Sequence, residues 1–240
     1  MAMSRAIGWM APLAALAFAA PAPALADVKD GVDAWSRGDY PAAVREWQGP
    51  ADAGDPDAMF NMGQAYRLGL GVKADAAKAE YYYAGAAQAG HIRAADTYGL
   101  ILFQTGRTEA ALPYIQAAAK RGDPRSQYLL GIAHFNGDIA KKDWVLAYAL
   151  LTLANSQGLP QAAPAIAQMD QYIPMAQRQQ AAGLAVEMQQ EAEANRASEL
   201  AAFDLAGVGS EAVAPGPDMS SRPLPTSTPR VPQPVAKAPV

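Results

Sequence analysis

Residues 57–90 read DAMFNMGQAYRLGLGVKADAAKAEYYYAGAAQAG, which is two helical patterns joined by a glycine-containing loop. The loop carries Gly69 and Gly71, and the second pattern ends at Gly90. A unit of this size cannot bury its own apolar face, so it needs similar units beside it. The stretch therefore predicts a helical hairpin that belongs to a repeat. It does not identify a binding partner.

The repeat is visible in the spacing of small and large residues along the chain. Its units end at glycines spaced 36, 32 and 36 residues apart: Gly54, Gly90, Gly122 and Gly158. Eleven positions before each is an alanine, and seven positions before each is a large apolar residue: Trp47, Tyr83, Ile115 and Leu151. Small residues in fixed register with a large apolar residue indicate closely packed helices, and a period of this length is typical of a solenoid.

Three further glycines lie inside predicted helices, nine positions after the first three boundary glycines: Gly63, Gly99 and Gly131. A glycine inside a helix costs ~1 kcal/mol relative to alanine. Its recurrence at one register indicates that a partner helix approaches so closely that a Cβ atom would block it. We therefore expect Gly99→Leu to destabilise the fold.

The predicted helix starts carry local capping signals. Asp55 and Asp123 each follow a boundary glycine and precede a proline, and Asp39 has a proline two residues later. An aspartate can cap a helix, and proline suits its first turn. His91 stands where the aspartates stand and is interpreted as a turn or cap residue, whereas His134 occupies a packing position.

Composition excludes several classes of site. The 240 residues include no cysteine and two histidines, which excludes disulfides, cysteine-based metal sites and cysteine nucleophiles and argues against a multi-histidine metal centre. The formal net charge is −4, and it becomes −5 without residues 1–26, which carry Arg5 and no acid. A mildly acidic chain without a basic run argues against nucleic acid and anionic lipid as partners.

Residues 1–26 have the pattern of a cleavable secretory signal. Arg5 is followed by an apolar run, and small residues at Ala24 and Ala26 form a cleavage site. The alternative is an uncleaved membrane anchor, but the run is shorter than the ~20 residues that a span needs. We therefore expect export to a bacterial periplasm and no stable membrane insertion after cleavage.

The chain divides into four predicted segments. Residues 1–26 are the signal peptide, residues 27–158 the repeats, residues 159–204 the C-terminal capping helices, and residues 205–240 a disordered proline-rich tail. The predicted fold class is all-α, an α-solenoid of antiparallel helix pairs. The tail is interpreted as a flexible spacer, and the alternative is that Pro-x-Pro pairs such as Pro215 and Pro217 make it a ligand for a groove.

The units resemble Sel1-like repeats, a branch of the tetratricopeptide superfamily. Residues 62–72, followed by Asp75, are close to the family pattern, and residues 130–134 with 143–154 form a second match. The hairpin between them lacks the Gly-x-Gly-Val loop, and the opening pair looks like half of an ordinary tetratricopeptide unit. The resemblance covers residues 27–158.

The resemblance implies a right-handed superhelix whose first helices line a concave face that binds proteins or peptides. It implies these candidate contact residues: Phe60, Gln64, Arg67, Asp96, Leu100, Phe103, Tyr128, Ile132 and Phe135. Phe103 and Phe135 are preferred because Tyr98, Leu102 and Leu130 already account for the buried stripe. The alternative is that these aromatic residues belong to the core.

The sequence offers no catalytic constellation. It contains no phosphate loop, metal-binding histidine pair or Gly-x-Ser-x-Gly motif, and Asp75 and Asp143 recur at a capping position. We therefore expect no catalytic residue, cofactor or metal.

The leading hypothesis for function is a non-enzymatic scaffold of the periplasm that binds a partner peptide or domain and regulates an envelope complex or sensor. The alternative is an enzyme, or an accessory subunit of one, that acts on cell-envelope polymers. The alternative would need acids that converge in one pocket.

Overall fold

The computed structural model describes residues 28–206, with side chains as far as residue 195, and also Ala214. The predicted signal peptide lies outside the described residues, and so does the predicted tail from residue 207 onward, apart from Ala214. The signal peptide and the disorder of the tail therefore stay predictions.

The described chain is entirely helical and is built from antiparallel pairs that follow one another in sequence. The helices are α1 (Val28–Ser36), α2 (Tyr40–Asp52), α3 (Pro56–Leu68), α4 (Ala76–Gln88), α5 (Ile92–Gln104), α6 (Thr108–Lys120), α7 (Pro124–Asn136), α8 (Trp144–Ser156), α9 (Ala162–Met169) and α10 (Met175–Ala206). From α1 to α9 each helix packs against the next, and α10 packs mainly against α8. The predicted all-α fold of helix pairs is confirmed. No helix in the described ranges is both long and apolar enough to cross a membrane.

Aspartate caps set the start of five helices, as the sequence predicts. Each aspartate Oδ1 accepts a hydrogen bond of 2.7 to 3.1 Å from the N–H three residues later: Asp39, Asp55, Asp75, Asp123 and Asp143. The four boundary glycines have φ between 80° and 90°, a conformation that disfavours any residue with a Cβ. Each helical hairpin is therefore delimited by local chemistry.

The glycines inside the helices lie where two helices approach most closely. A Cβ on Gly63 would lie 2.9 Å from the Tyr83 ring, and one on Gly99 would lie 2.6 Å from Cβ of Tyr114. A Cβ on Gly131 would lie 3.1 Å from the carbonyl oxygen of Ala147. The predicted close approach is confirmed at all three positions.

A fourth glycine of this kind was missed by the sequence analysis. Gly31 precedes Gly63 by 32 residues, and a Cβ there would overlap the indole of Trp47. Trp47 is fully buried, and its Nε1 donates to the carbonyl of Val28 at 3.0 Å. The opening pair therefore follows the same packing rule as the later hairpins.

The apolar core is divided into two main clusters. The N-terminal cluster joins α1 to α4 through residues such as Trp47, Phe60 and Tyr83, and it includes Ala214. The C-terminal cluster joins α5 to α9 through residues such as Leu129 and Leu150. The first helices α3 and α7 therefore pack into different clusters.

The C-terminal helices cover the end of the repeat. Ala181 and Ala185 of α10 pack against Ala149 and Leu153 of α8. Helix α10 continues to Ala206, so its end lies two residues beyond the predicted boundary at residue 204. The outer face of the last hairpin is therefore buried.

Candidate functional site

Ala214 is fully buried, although it lies in the segment predicted to be a spacer. Its N–H donates to Oδ1 of Asn61 at 3.0 Å, and its carbonyl oxygen accepts from Nε2 of Gln64 at 3.3 Å. Its methyl group packs into the N-terminal cluster. Two side chains of α3 thus bind both polar groups of one backbone residue. We call Asn61 and Gln64 the amide clamp.

Helix α3 holds the amide clamp in place. Asn61 and Gln64 are three positions apart, so their side chains lie on one face of the helix. Gly63, between them, faces Tyr83 of α4 at close range, and Asp55 caps the helix start. The clamp therefore belongs to a rigid helix and not to a loop.

Because the amide clamp is buried, the loss of its hydrogen bonds would cost free energy. Asn61 is 0% exposed and Gln64 is 3% exposed. A buried amide that loses its partner costs about 1–3 kcal/mol. The oxygen of one amide and the nitrogen of the other match the N–H and C=O of a peptide unit. The arrangement is therefore complementary, in its hydrogen bonding, to the backbone groups of one residue.

The helix face beside the clamp is closed by a stack around Phe60. The His91 ring lies parallel to the Phe60 ring, with centroids 4.5 Å apart, and the Arg93 guanidinium lies 5.1 Å from the centroid of Phe60. His91 Nδ1 accepts from the N–H of Ala94 at 3.0 Å and so caps α5, as predicted. Its Nε2 lies 3.4 Å from Oδ1 of Asp57.

Burial perturbs both members of this His91–Asp57 pair. It lowers the pKa of His91 below its ordinary value of 6.5, and the Asp57 carboxylate partly opposes that change. Burial also raises the pKa of Asp57 above 3.8, against the effect of His91. A neutral imidazole that accepts at Nδ1 and carries its proton on Nε2 is consistent with the capping role.

The three candidate residues from α3 lie around the amide clamp. Gln64 belongs to it, and Phe60 is 4% exposed within the stack. Arg67 is half-buried, and its Nε donates to the Tyr83 hydroxyl at 3.0 Å. Burial of Tyr83 raises the pKa of its phenol, which keeps the hydroxyl neutral beside Arg67.

The three candidates from α5 lie away from the clamp contacts. Asp96 forms an ion pair with Arg121 of α6. Leu100 is buried in the C-terminal cluster, and Phe103 is half-buried against the same cluster. Their role in binding stays a prediction.

The candidates from α7 are core residues, which corrects the expectation for Phe135. Tyr128 is 6% exposed, Ile132 is 2% exposed and Phe135 is 1% exposed. The Phe135 ring packs against the rings of Trp144 and Tyr172, with centroid distances of 6.1 Å and 6.3 Å. The prediction that Phe135 lies outside the buried stripe was wrong, because residues after α7 cover this helix.

Asn61 is the site residue that the sequence analysis missed. It stands between Phe60 and Met62 in an otherwise apolar part of α3. A polar residue inside a predicted buried stripe is a signal for a required hydrogen-bond partner. Ala214 carried no such signal.

The remaining chemistry-bearing residues have structural partners. His134 is half-buried, and its Nδ1 lies 2.8 Å from the carbonyl oxygen of Lys141, in agreement with the predicted packing position. In the part of the chain that the structure describes, no three His, Asp or Glu side chains are grouped closely enough to hold a metal ion.

Comparison with known proteins identifies the repeat. Residues 56–91 and 124–159 match the family model described as Sel1 repeat. An uncharacterized protein of Neisseria meningitidis serogroup B is 30% identical over 109 residues, which is 45% of this chain. The match spans only 23% of the length of that relative.

Two solved structures resemble the helical arrangement. A Sel1 repeat protein from Oxalobacter formigenes is 22% identical, with a TM-score of 0.49, over 58% of this chain and 59% of the other. A protective antigen of uropathogenic Escherichia coli strains, which displays an SLR fold, is 20% identical, with a TM-score of 0.53. That second likeness covers 78% of this chain and 42% of the antigen, and it concerns the fold alone.

Proposed function

Because residues 56–91 and 124–159 match the Sel1 repeat family, we propose that this chain is a non-enzymatic scaffold that binds an extended segment of a partner protein on α3. The amide clamp recognises the backbone of that segment, and no covalent step follows. The scaffold acts in the periplasm after export, where it regulates an envelope complex or sensor. A fold does not specify a function, so the proposal depends on the clamp.

The contact with Ala214 is the observation that carries this proposal. Asn61 and Gln64 bind the N–H and the C=O of the same residue at 3.0 and 3.3 Å. Within a helix both groups are used in the helical ladder, so only a non-helical segment can offer them to side chains. The contact therefore supports recognition of an extended peptide.

The chemistry of the partner follows from the shape around Ala214. The alanine is 0% exposed, so its methyl group is enclosed on all sides. A long side chain at that position would overlap the N-terminal cluster, and overpacking of this kind costs about 1–3 kcal/mol. We expect the partner segment to place a small residue between the two amides.

The test is a crosslinking pull-down from envelope extract with a variant that removes only the amides. Asn61→Leu/Gln64→Ile introduces the residues that α7 has at the same register, Leu129 and Ile132, so α3 should still fold. Thr97→Leu, at the Asn61 register in α5, is the matched control. We expect a partner that the wild type and the control capture and the clamp variant loses.

Two results would contradict the proposal. A partner captured equally by all three proteins would place the binding surface elsewhere. Turnover of peptidoglycan fragments by the purified protein, measured by release of soluble sugars, would favour the enzymatic alternative.

A further inference from the structure

We propose that the segment around Ala214 is a built-in ligand of the amide clamp, so that this protein occupies its own binding site and a partner must displace the segment. The inference rests on the proposed function, because it names the competitor for the same site. It makes the tail a regulator of binding and not only a spacer.

Burial and two hydrogen bonds hold Ala214 against α3. The residue is 0% exposed, and the two clamp residues bond to its backbone from α3, 153 and 150 positions earlier in the chain. Its methyl group belongs to the same apolar cluster as Phe60 and Tyr83. A spacer that only linked the fold to something else would need no such contact.

The local sequence suits the segment for this role. Residues 211–217 read EAVAPGP, so Ala214 directly precedes Pro215. A residue before proline is restricted to extended conformations, because the proline ring clashes with its helical form. Such a residue cannot place its N–H and C=O in a helix, and both stay available to Asn61 and Gln64. Less entropy is lost when a residue that the following proline already restricts in this way binds.

The short tether favours binding within one molecule. Ala214 lies eight positions after Ala206, the last residue of α10. Eight residues reach at most about 29 Å when fully extended. A short tether gives an effective concentration of about millimolar order, so even a weak segment can occupy the site.

Occupation by the tail has a calculable effect on a partner. The apparent dissociation constant of a partner equals its intrinsic value divided by the fraction of molecules with a free site. If the tail fills the clamp in about nine molecules of ten, a partner binds about tenfold more weakly. A variant that cannot place residue 214 in the clamp should therefore bind the partner about tenfold more tightly than the wild type.

The first experiment measures this recovery with the full chain. The probe is a fluorescein-labelled peptide of residues 208–220, and its binding is followed by fluorescence anisotropy. Ala214→Trp is too large for the enclosed site, and Ala238→Trp, at another alanine before a proline in the same tail, is the matched control. We expect Ala214→Trp to bind the probe at least tenfold more tightly than the wild type and Ala238→Trp to equal the wild type. Adding Asn61→Leu/Gln64→Ile to Ala214→Trp should abolish the gain.

The second experiment observes the contact directly by hydrogen exchange of backbone amides. The N–H of Ala214 donates to the buried Asn61, so it should exchange at least tenfold more slowly than the N–H of Ala238. The clamp variant Asn61→Leu/Gln64→Ile should remove that protection. The measurement is repeated over a hundredfold range of protein concentration.

The outcomes separate this inference from the proposed function. If the wild type and Ala214→Trp bind the probe equally and both need the clamp, the site binds peptides but the tail does not occupy it, which overturns only the inference. If neither binds the probe and the Ala214 amide is unprotected, both proposals fail. Protection that appears only at high protein concentration would assign the segment to a second copy and overturn occupation within one molecule.

Discussion

The two Sel1 repeats of this chain, residues 56–91 and 124–159, share a framework but present different surfaces. Their corresponding residues lie 68 positions apart throughout. Asp55 and Asp123 cap the first helices, and the loop glycines Gly69 and Gly137 have φ of 71° and 73°. The framework therefore repeats down to the backbone conformation of its loops.

The two repeats differ on the face of the first helix. Asn61 and Gln64 of the first repeat correspond to Leu129 and Ile132 of the second. The amides bind the backbone of Ala214, whereas the two apolar residues are 1% and 2% exposed in the C-terminal cluster. The shared framework therefore fixes where the side chains lie, and the residue types at a few positions determine which groups those side chains contact.

The second repeat is closed by Trp144, which lies within it, and by residues of the chain that follow it. Trp144 and Tyr172 pack against Phe135, and α10 covers α8. The corresponding residue of the first repeat, Arg67, is half-buried and bonds to Tyr83. The same register is therefore half-buried in the first repeat and fully buried in the second.

The largest expected effect concerns the pair Phe135 and Arg67. Phe135→Ala should lower the free energy of unfolding by about 4 kcal/mol, because deletion of a buried phenylalanine leaves a cavity. Arg67→Ala should lower it by about 1 kcal/mol, the typical value of one hydrogen bond. Urea unfolding followed by circular dichroism measures both. Equal effects would contradict the different burial of the two positions.

The next effect tests the packing that both repeats share with the hairpin between them. Gly99→Leu should cost about 3 kcal/mol, because its Cβ would meet Cβ of Tyr114 at 2.6 Å and neither atom can rotate away. Gly183→Leu in α10 is the control, since nothing lies within 4 Å of its Cβ position. Thermal melting should show a large fall for the first variant and none for the second. An unchanged melting temperature for Gly99→Leu would defeat the packing argument.

An exchange of residues between the repeats sharpens the comparison further. Leu129→Asn should cost about 2 kcal/mol or more, because it buries an amide in an apolar cluster. Asn61→Leu should cost about 1 kcal/mol, since it removes the acceptor of the Ala214 N–H, and the Ala214 segment can leave the site and bond to water. Chemical unfolding of both single variants measures how far each one lowers the free energy of unfolding. If Asn61→Leu were the more destabilising, the clamp would be a structural element and not a binding site.

The smallest expected effect is a pH dependence of stability that comes from His91, the last residue of the first repeat. The corresponding residue of the second repeat is Leu159, which does not titrate. The pKa of His91 in the folded state lies below 6.5, so the unfolded state binds more protons as the pH falls through that value. Stability should therefore decrease between pH 7 and about pH 5.5. The raised pKa of Asp57 has the opposite sign at lower pH, because the folded state then binds the extra proton.

One variant isolates this pH dependence. His91→Asn keeps a side chain that can cap a helix and should remove most of the decrease in stability. Unfolding midpoints measured at pH 7 and pH 5.5 would show this, and an unchanged decrease in His91→Asn would assign the effect to another group.

Local signals predicted most of the framework. The aspartate caps, the boundary glycines and the helix-internal glycines act within a few residues or at a fixed register, so spacing alone reveals them. The candidate site was predicted less well. Register placed Gln64 on the same helix as Phe60, and its role in binding stays a prediction. Register could not show that Trp144 and Tyr172 would bury Phe135.

By itself, the sequence determined that this protein is a helical repeat with capped hairpins and close helix contacts, because each of these features depends on residues close together or at a constant spacing. Tertiary structure alone decided that Phe135 is buried and that Ala214 meets Asn61 and Gln64. Contacts between residues so far apart depend on how the whole array closes, which no local pattern encodes.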